Sequence, residues 1–259
     1  MKVTIITVCY NSETHIKDCI DSVSKQSYAD IEHLFIDGKS SDRTLEIIEH
    51  NARDGHVLLS ENDEGIYDAM NKGLKIASGD VIGFLNSDDV FDSHFVVQKI
   101  VKSFDSSDHD VLWGDLNYVN SSDINKTMRV WHSRLFSESD VKKGYIPAHP
   151  AFYISRKALE ILDPFDLQYS IASDFDFMKR AIMHPQLRTG YLNYLFVRMR
   201  TGGASSSNLS VVIKQNLEII RSLRGSFENF SYFEFFYHKV TSKLYSFFRA
   251  ISLRLKNSI

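Results

Sequence analysis

Apolar positions follow two rhythms in the first half of the chain. Val3-Thr4-Ile5-Ile6-Thr7-Val8 is β-branched and apolar on both faces, the pattern of a central parallel strand. From His15 to Gln26 the rhythm changes. Ile16, Cys19, Ile20 and Val23 recur at three- and four-residue steps, which predicts a helix, and Tyr10-Asn11-Ser12 offers an N-cap before it. His33 to Ile36 is a second predicted strand. It ends at the turn Asp37-Gly38-Lys39-Ser40-Ser41-Asp42, which caps a helix from Thr44 to Asn51. Val57 to Ser60 reads as a short strand, Tyr67 to Ala77 as a helix closed by Ser78-Gly79, and Val81 to Leu85 as a buried strand. A helix near Phe95 to Phe104 follows. Strands and helices alternating at short spacing predict a parallel sheet with helices on both sides. Ligands in such sheets bind outside the carboxyl ends of the strands. Three such ends converge: Tyr10-Asn11, Asp37-Gly38 and Asn86 to Asp89.

The second half is less regular. Val111 to Asp115, Met128 to Trp131 and Tyr191 to Met199 read as strands, and Arg156 to Leu162 as a helix. Ala172 to Asp176 leads into another helix that ends at His184-Pro185. Ile146-Pro147-Ala148-His149-Pro150 is a loop, and residues 201–208 have the Gly/Ser composition of another. Leu209 to Leu223 reads as a helix bounded by Gly225.

The candidate chemistry sits after the strand at Val81 to Leu85, where Asn86-Ser87-Asp88-Asp89 presents two adjacent carboxylates. Buried together they need a cation, and hard oxygen ligands suit Mg²⁺ or Mn²⁺, whose shells are commonly completed by substrate phosphates. The plainer reading is an Asp-rich turn. Convergence of three strand ends favours a metal–nucleotide site.

Composition narrows the class. The chain has 259 residues, enough for one large α/β domain or one domain with an appendage. Its net charge of −3 gives no reason to expect nucleic-acid binding. Two cysteines, Cys9 and Cys19, make a disulfide scaffold or a zinc cluster an unsuitable reading. Met1-Lys2 leads straight into the first strand, so no leader is expected, and no uncharged apolar run reaches the roughly 18 residues of a spanning helix.

Four segments resemble the family 2 inverting glycosyltransferases, which have the GT-A fold. They are Thr4 to Asn11, Ile36 to Thr44, Gly65-Ile66-Tyr67-Asp68-Ala69-Met70-Asn71-Lys72-Gly73, and Gly79 to Asp89. The resemblance covers residues 1–205. It implies an α/β fold: a Rossmann-like mixed, mainly parallel sheet flanked by helices, with a C-terminal helical extension. Within it, 1–110 would bind the nucleotide-sugar, 111–205 the acceptor, and 206–259 would form the extension.

The resemblance also implies a metal-dependent hexosyltransferase-type enzyme with a nucleotide-sugar donor, a UDP-sugar first and a GDP- or dTDP-sugar as alternatives. Tyr10 would lie against the nucleobase. Asp37 would recognise the nucleoside, left free because Ser40, Ser41 or Asp42 can cap the next helix; the family often has a second acid beside it, where this chain has Gly38. Asp68 would face the crevice from early in its helix, unless it serves the helix N-terminus. The family's Asp-x-Asp appears as Asn86-Ser87-Asp88. Asp88 would ligate the divalent metal, Asp89 would support it or add a ligand, and Asn86, with Ser87, would contact the donor. Ser173-Asp174-Phe175-Asp176 resembles the Glu-Asp motif, which gives Asp174 the part of general base. His149, Trp113 and Asp115 would line the acceptor side, although a core position is the default for a Trp.

From Phe235 onward the chain carries Lys239, Lys243, Arg249, Arg254 and Lys256 and no acid. Apolar residues from Phe233 to Leu255 keep helical steps, so this is a basic amphipathic helix, packed on the core or lying on a membrane surface. The expected location is the cytoplasm, peripheral on the inner face of the membrane, and the expected acceptor a lipid-linked saccharide in surface-polysaccharide assembly. Two rivals stand beside this reading. A sugar nucleotidyltransferase would need a Gly-rich basic loop that Cys9-Tyr10-Asn11-Ser12 lacks. A non-catalytic binding remnant would fit the loss of charge at Asn86 and of Glu at Ser173, but not the retention of Asp88 and Asp174.

Overall fold

The computed structural model describes residues 1–202, 208–239 and 241. β1 (Val3–Cys9), β2 (Ile31–Asp37), β3 (Val57–Ser60) and β4 (Val81–Phe84) form a parallel half-sheet in the spatial order β3-β2-β1-β4. Their crossovers carry α1 (Ile16–Ser24), α2 (Thr44–Asn51) and α3 (Ile66–Ile76). The β1 residues alternate between two cores, as a strand buried on both faces must. Ile6 joins Leu34, Met70 and Phe84 on one side, and Ile5 joins Val97, Ile100 and Tyr153 on the other.

Beyond β4 the order of strands departs from the order of sequence. β5 (Val90–Phe91), α4 (Val96–Ser106), β6 (Val111–Val119), β7 (Thr127–Trp131) and α5 (Glu138–Lys142) come first along the chain. β8 (Phe152–Ser155) then returns to pair antiparallel with both β4 and β6. After α6 (Arg156–Ile161) and α7 (Ser173–Met183), β9 (Thr189–Arg200) runs parallel to β6 and antiparallel to β5. One sheet therefore runs through residues on both sides of position 110. A 3-10 turn at His149–Ala151 precedes β8, so the β4–β8 pairing brings His149 beside the end of β4.

α8 (Leu209–Ser226) packs on α7 through Phe175, Ile219, Ile220 and Leu223, with Phe235 from a helical stretch at 232–239. α8 passes through Gly225 rather than stopping before it, because the apolar contacts of Ile219 to Leu223 outweigh the helix cost of one glycine. The remainder of the expected tail helix, and most of the expected 201–208 loop, lie outside the described residues.

Candidate active site

The three strand ends do meet, and serine and asparagine side chains tie them together. The Gly38 N–H donates to Cys9 O at 2.9 Å and the Leu85 N–H to Ile6 O at 3.0 Å, holding the ends of β2 and β4 against β1. Ser12 Oγ lies 2.9 Å from Ser87 Oγ. The Asn11 N–H donates to Ser40 Oγ at 2.8 Å, and Asn11 Oδ1 accepts from the Ser41 N–H at 2.9 Å. Asn11 and Lys39 hold positive φ angles of 48° and 65°, a conformation Asn tolerates because its short side chain bonds nearby backbone.

The segment Asn86 to Asp89 is both a turn and a presenting device. The Asp89 N–H donates to Asn86 O at 3.0 Å and closes the turn. Asp89 points inward and is fully buried, accepting from Asn86 Nδ2 at 3.0 Å and from the Arg200 N–H at 3.1 Å. Burial, then the charge of Asp88, push its carboxyl well above the usual carboxylate range, against those two hydrogen bonds. Asp88 faces the other way. Its carbonyl oxygen accepts from the Arg200 guanidinium, while its half-buried carboxylate makes no hydrogen bond or ion pair among the described residues. Arg200 is itself anchored, donating to Ser121 O at 3.2 Å and pairing with Asp18 at 2.6 Å.

Asp174 sits in the first turn of α7. Its Oδ1 lies 3.0 Å from the Tyr67 hydroxyl, which also reaches Ile171 O at 2.7 Å, and accepts from the Phe175 N–H at 2.8 Å. Burial and the Asp174 charge raise the Tyr67 pKa, so the phenol stays a donor. His149 is buried against Phe84 and Phe165, with ring centroids 5.0 and 5.8 Å away. Burial lowers its pKa, the Asp174 charge opposes this, and Nε2 has no hydrogen-bond partner among the described residues. The loop ahead of α7 is clamped by Glu218 of α8, whose carboxylate accepts from the N–H groups of Ser170, Ile171 and Ala172 and from Ser170 Oγ.

Several expected residues sit elsewhere. Asp37 is not free: it is fully buried, and its carboxylate accepts from Ser40 Oγ, the Ser40 N–H and Ser60 Oγ at 2.5, 3.0 and 2.7 Å. Trp113 is a core residue, stacked on Phe152 with its indole N–H on Arg134 O. Asp115 is buried and saturated by His132, the Ser133 N–H and the Tyr191 hydroxyl. Asp68 accepts from the Glu64 N–H and pairs with Lys72 at 3.2 Å, the part of a helix-start acid. Tyr10 is 65% exposed at the rim.

Residues 4–161 match the family described as Glycosyl transferase family 2. The chain belongs to this family. A PGL/p-HBAD biosynthesis glycosyltransferase of Mycobacterium bovis (strain BCG / Pasteur 1173P2) is 26% identical over 210 residues, covering 80% of this chain and 79% of the relative. An uncharacterized glycosyltransferase of Mycobacterium tuberculosis (strain CDC 1551 / Oshkosh) is 30% identical over 184 residues, covering 70% and 69%. Among solved structures, S. aureus TarS 1–349 matches with a TM-score of 0.67 at 21% identity over 86% of this chain. The chain spans 64% of that fragment, just under two thirds. The mannosyltransferase PcManGT from Pyrobaculum calidifontis, in complex with GDP-Man and Mn²⁺, matches with a TM-score of 0.61 at 17% identity over 85% of this chain and 62% of its own. At such identities these likenesses establish the fold, which is GT-A.

For this family 2 glycosyltransferase, the donor set at Asn86 to Asp89 fits a particular kind of cation. No group of three or more His, Cys, Asp and Glu side chains gathers among the described residues. Within that segment Asp88 offers a carboxylate that has no partner among the described residues, which suits Mg²⁺ or Mn²⁺ held by one or two carboxylates with phosphates and water. Sequence reasoning missed three residues that shape the site. Arg200 is a cation closing an apolar strand, a signal that was readable. Tyr67 lay inside a quoted motif without a part to play. Glu218 lies 44 residues beyond Asp174 on a helix of ordinary composition, where nothing local marks it.

Proposed function

We propose that this glycosyltransferase moves a sugar from a nucleotide-activated donor to an acceptor hydroxyl by a single inverting displacement. The observation that carries the reading is the pair of outward carboxylates, Asp88 at the end of β4 and Asp174 at the start of α7, each flanked by an acid locked inward. A UDP-sugar is the first choice of donor, with GDP- or dTDP-sugars as alternatives. Structures named as complexes with UDP, UDP-GlcNAc and GDP-Man among the fold's neighbours support that class.

Asp88 would hold a divalent cation, Mn²⁺ or Mg²⁺, which supplies positive charge against the leaving diphosphate. Asp174 accepts the proton of the acceptor hydroxyl as its oxygen bonds to the anomeric carbon and the bond to the diphosphate oxygen breaks. The Tyr67 hydroxyl holds Asp174 in place. His149, buried beside it, would offer a sugar or acceptor hydroxyl its Nε2, which has no hydrogen-bond partner among the described residues. The acceptor is a lipid-linked saccharide, and the protein works peripherally at the inner face of the membrane. A relative named for PGL/p-HBAD biosynthesis and the exposed apolar side chains of the C-terminal helices support this.

Calorimetry with UDP, GDP and dTDP, with and without Mn²⁺, tests the centre of the reading. At least one should bind more tightly with Mn²⁺, and Asp88→Ala should remove that increment while leaving the protein folded. Metal-dependent affinity that survives Asp88→Ala would show the site to be elsewhere.

A further inference from the structure

With Asp37 buried and saturated, the rim beside Tyr10 needs another group to read a base, and the structure supplies one from a different element. Gly38 has no side chain where the family often has an acid. A Cβ built there would lie 2.5 Å from Asp63 Oδ2 and 3.5 Å from Tyr10 Cδ2. The Asp63 carboxylate, from the loop between β3 and α3, therefore occupies the space that a side chain at position 38 would need. Its Oδ1 accepts from the Gly65 N–H at 2.9 Å and so is fixed in direction. Its Oδ2 has no hydrogen-bond partner among the described residues, and the residue is half-buried. An aromatic face exposed to 65% stands beside it.

We propose that Asp63 is the residue that reads the nucleobase, and that it selects bases presenting a ring N–H on their pairing edge. This rests on the nucleotide-sugar reading above. An ionised carboxylate only accepts hydrogen bonds. Uracil and thymine offer N3–H and guanine offers N1–H to it. Cytosine and adenine present a ring nitrogen lone pair at that position, which faces the carboxylate acceptor to acceptor. Tyr10 contributes a stacking face, which every base can use and which therefore does not discriminate. The exchange is mutual: Asp63 can occupy this position because residue 38 is glycine.

The test is calorimetry of the full chain with UDP, dTDP, GDP, CDP and ADP in the presence of Mn²⁺. Asp63→Asn retains an acceptor for the Gly65 N–H and loses the charge. Gly38→Ala leaves Asp63 unchanged but requires its carboxylate to move aside, at a φ outside the left-handed region. The wild type should bind its best ring-N–H nucleotide about 10- to 100-fold more tightly than CDP or ADP, the range expected of one charged hydrogen bond. Asp63→Asn and Gly38→Ala should each remove most of that preference, with inorganic pyrophosphate binding unchanged. N3-methyl-UDP, which lacks the N–H, should bind wild type and Asp63→Asn equally. Wild-type preference retained in both variants overturns the assignment while leaving nucleotide binding intact. A wild-type protein that binds none of the five overturns the nucleotide reading and this proposal with it.

Discussion

Asp174 and Asp176 stand two positions apart on α7 and meet opposite environments. Asp176 is buried between Lys179 at 3.0 Å, Arg180 at 2.8 Å and the Ser222 hydroxyl at 2.7 Å. Burial would raise its pKa, but those hydrogen bonds and the lysine charge outweigh it and hold the carboxyl below its ordinary range. It is ionised at any working pH and has no capacity left for a substrate. Asp174 keeps Oδ2 without a partner among the described residues. Asp174→Asn should therefore lower transfer about 10²- to 10⁴-fold, with donor affinity retained, because it removes only the proton acceptor. Asp176→Asn should act on stability instead, leaving Lys179 buried with less compensation, at a cost of about 3–5 kcal/mol read from denaturant unfolding. Near-normal turnover by Asp174→Asn would exclude it as the base. Chain order and the resemblance of Ser173-Asp174 to the Glu-Asp motif put Asp174 ahead of Asp176 in the sequence, and the Asp174→Asn measurement is what tests that choice. The environment of Asp176 was not legible, since Ser222 arrives from a helix whose packing no local pattern encodes. The same limit hid the saturation of Asp37, whose partner Ser60 ends a neighbouring strand.

The elements with an unbroken apolar run or a helical rhythm were the legible ones: β1, β2, β4, α1, α3 and α4 fall where that pattern places them. β5 was not assigned from the sequence because two residues carry no rhythm, and β8 was not because its short apolar run follows directly on the Ile146 to Pro150 loop. β5 exists because β9 pairs with it, Val90 against Arg198 and Phe91 against Val197. β8 exists because β4 and β6 leave a gap between them. At the opposite end of the parallel strands from the site, one acid latches three elements. Glu32 of β2 accepts from Thr4 Oγ1 of β1 at 2.6 Å, from the Ser78 N–H at 2.8 Å and hydroxyl at 2.5 Å beyond α3, and pairs with Lys2 at 2.9 Å. Burial alone would raise its pKa, but the bonds from Ser78 and Thr4 outweigh burial and hold it at about 2, against an ordinary 4.5. A carboxylate depressed in this way contributes stability above its unfolded pKa and loses it as pH falls through the folded one. The contribution should be about 3 kcal/mol at neutral pH and should disappear between the two values, 4.5 and about 2. Glu32→Gln should thus lower unfolding free energy at pH 7 and flatten its pH dependence in that window. A variant whose acid unfolding curve overlays the wild type would refute the latch.

Across the whole molecule, α8 joins the candidate base to an apolar surface. One side of α8 holds the loop ahead of Asp174 through Glu218 and packs Ile219, Ile220 and Leu223 inward. Another side carries Leu209, Ile213 and Leu217 at four-residue steps, all more than half exposed, with Leu209 at 73%. Tyr232, Phe233, Phe236 and Tyr237, beyond the end of α8, are exposed as well, Phe233 at 79%. Among the described residues no helix is long and apolar enough to cross a membrane, so these side chains fit a surface association and not a span. Lys243, Arg249, Arg254 and Lys256 follow in the sequence, and basic residues near an anionic bilayer contribute about 1 kcal/mol each. The purified full-length protein should therefore co-sediment with vesicles containing anionic lipid at low salt, and less at high salt as the charges are screened. Leu217→Asp combined with Phe233→Asp changes only exposed positions. It should weaken vesicle binding while leaving the melting temperature and nucleoside-diphosphate affinity unchanged, since both side chains lie at the surface. If the double variant binds vesicles as the wild type does, the described apolar face has no part in attachment. If the wild type ignores anionic vesicles at low salt, the membrane placement falls, and with it the main physical reason for assigning a lipid-linked acceptor to a crevice whose base is held by the same helix.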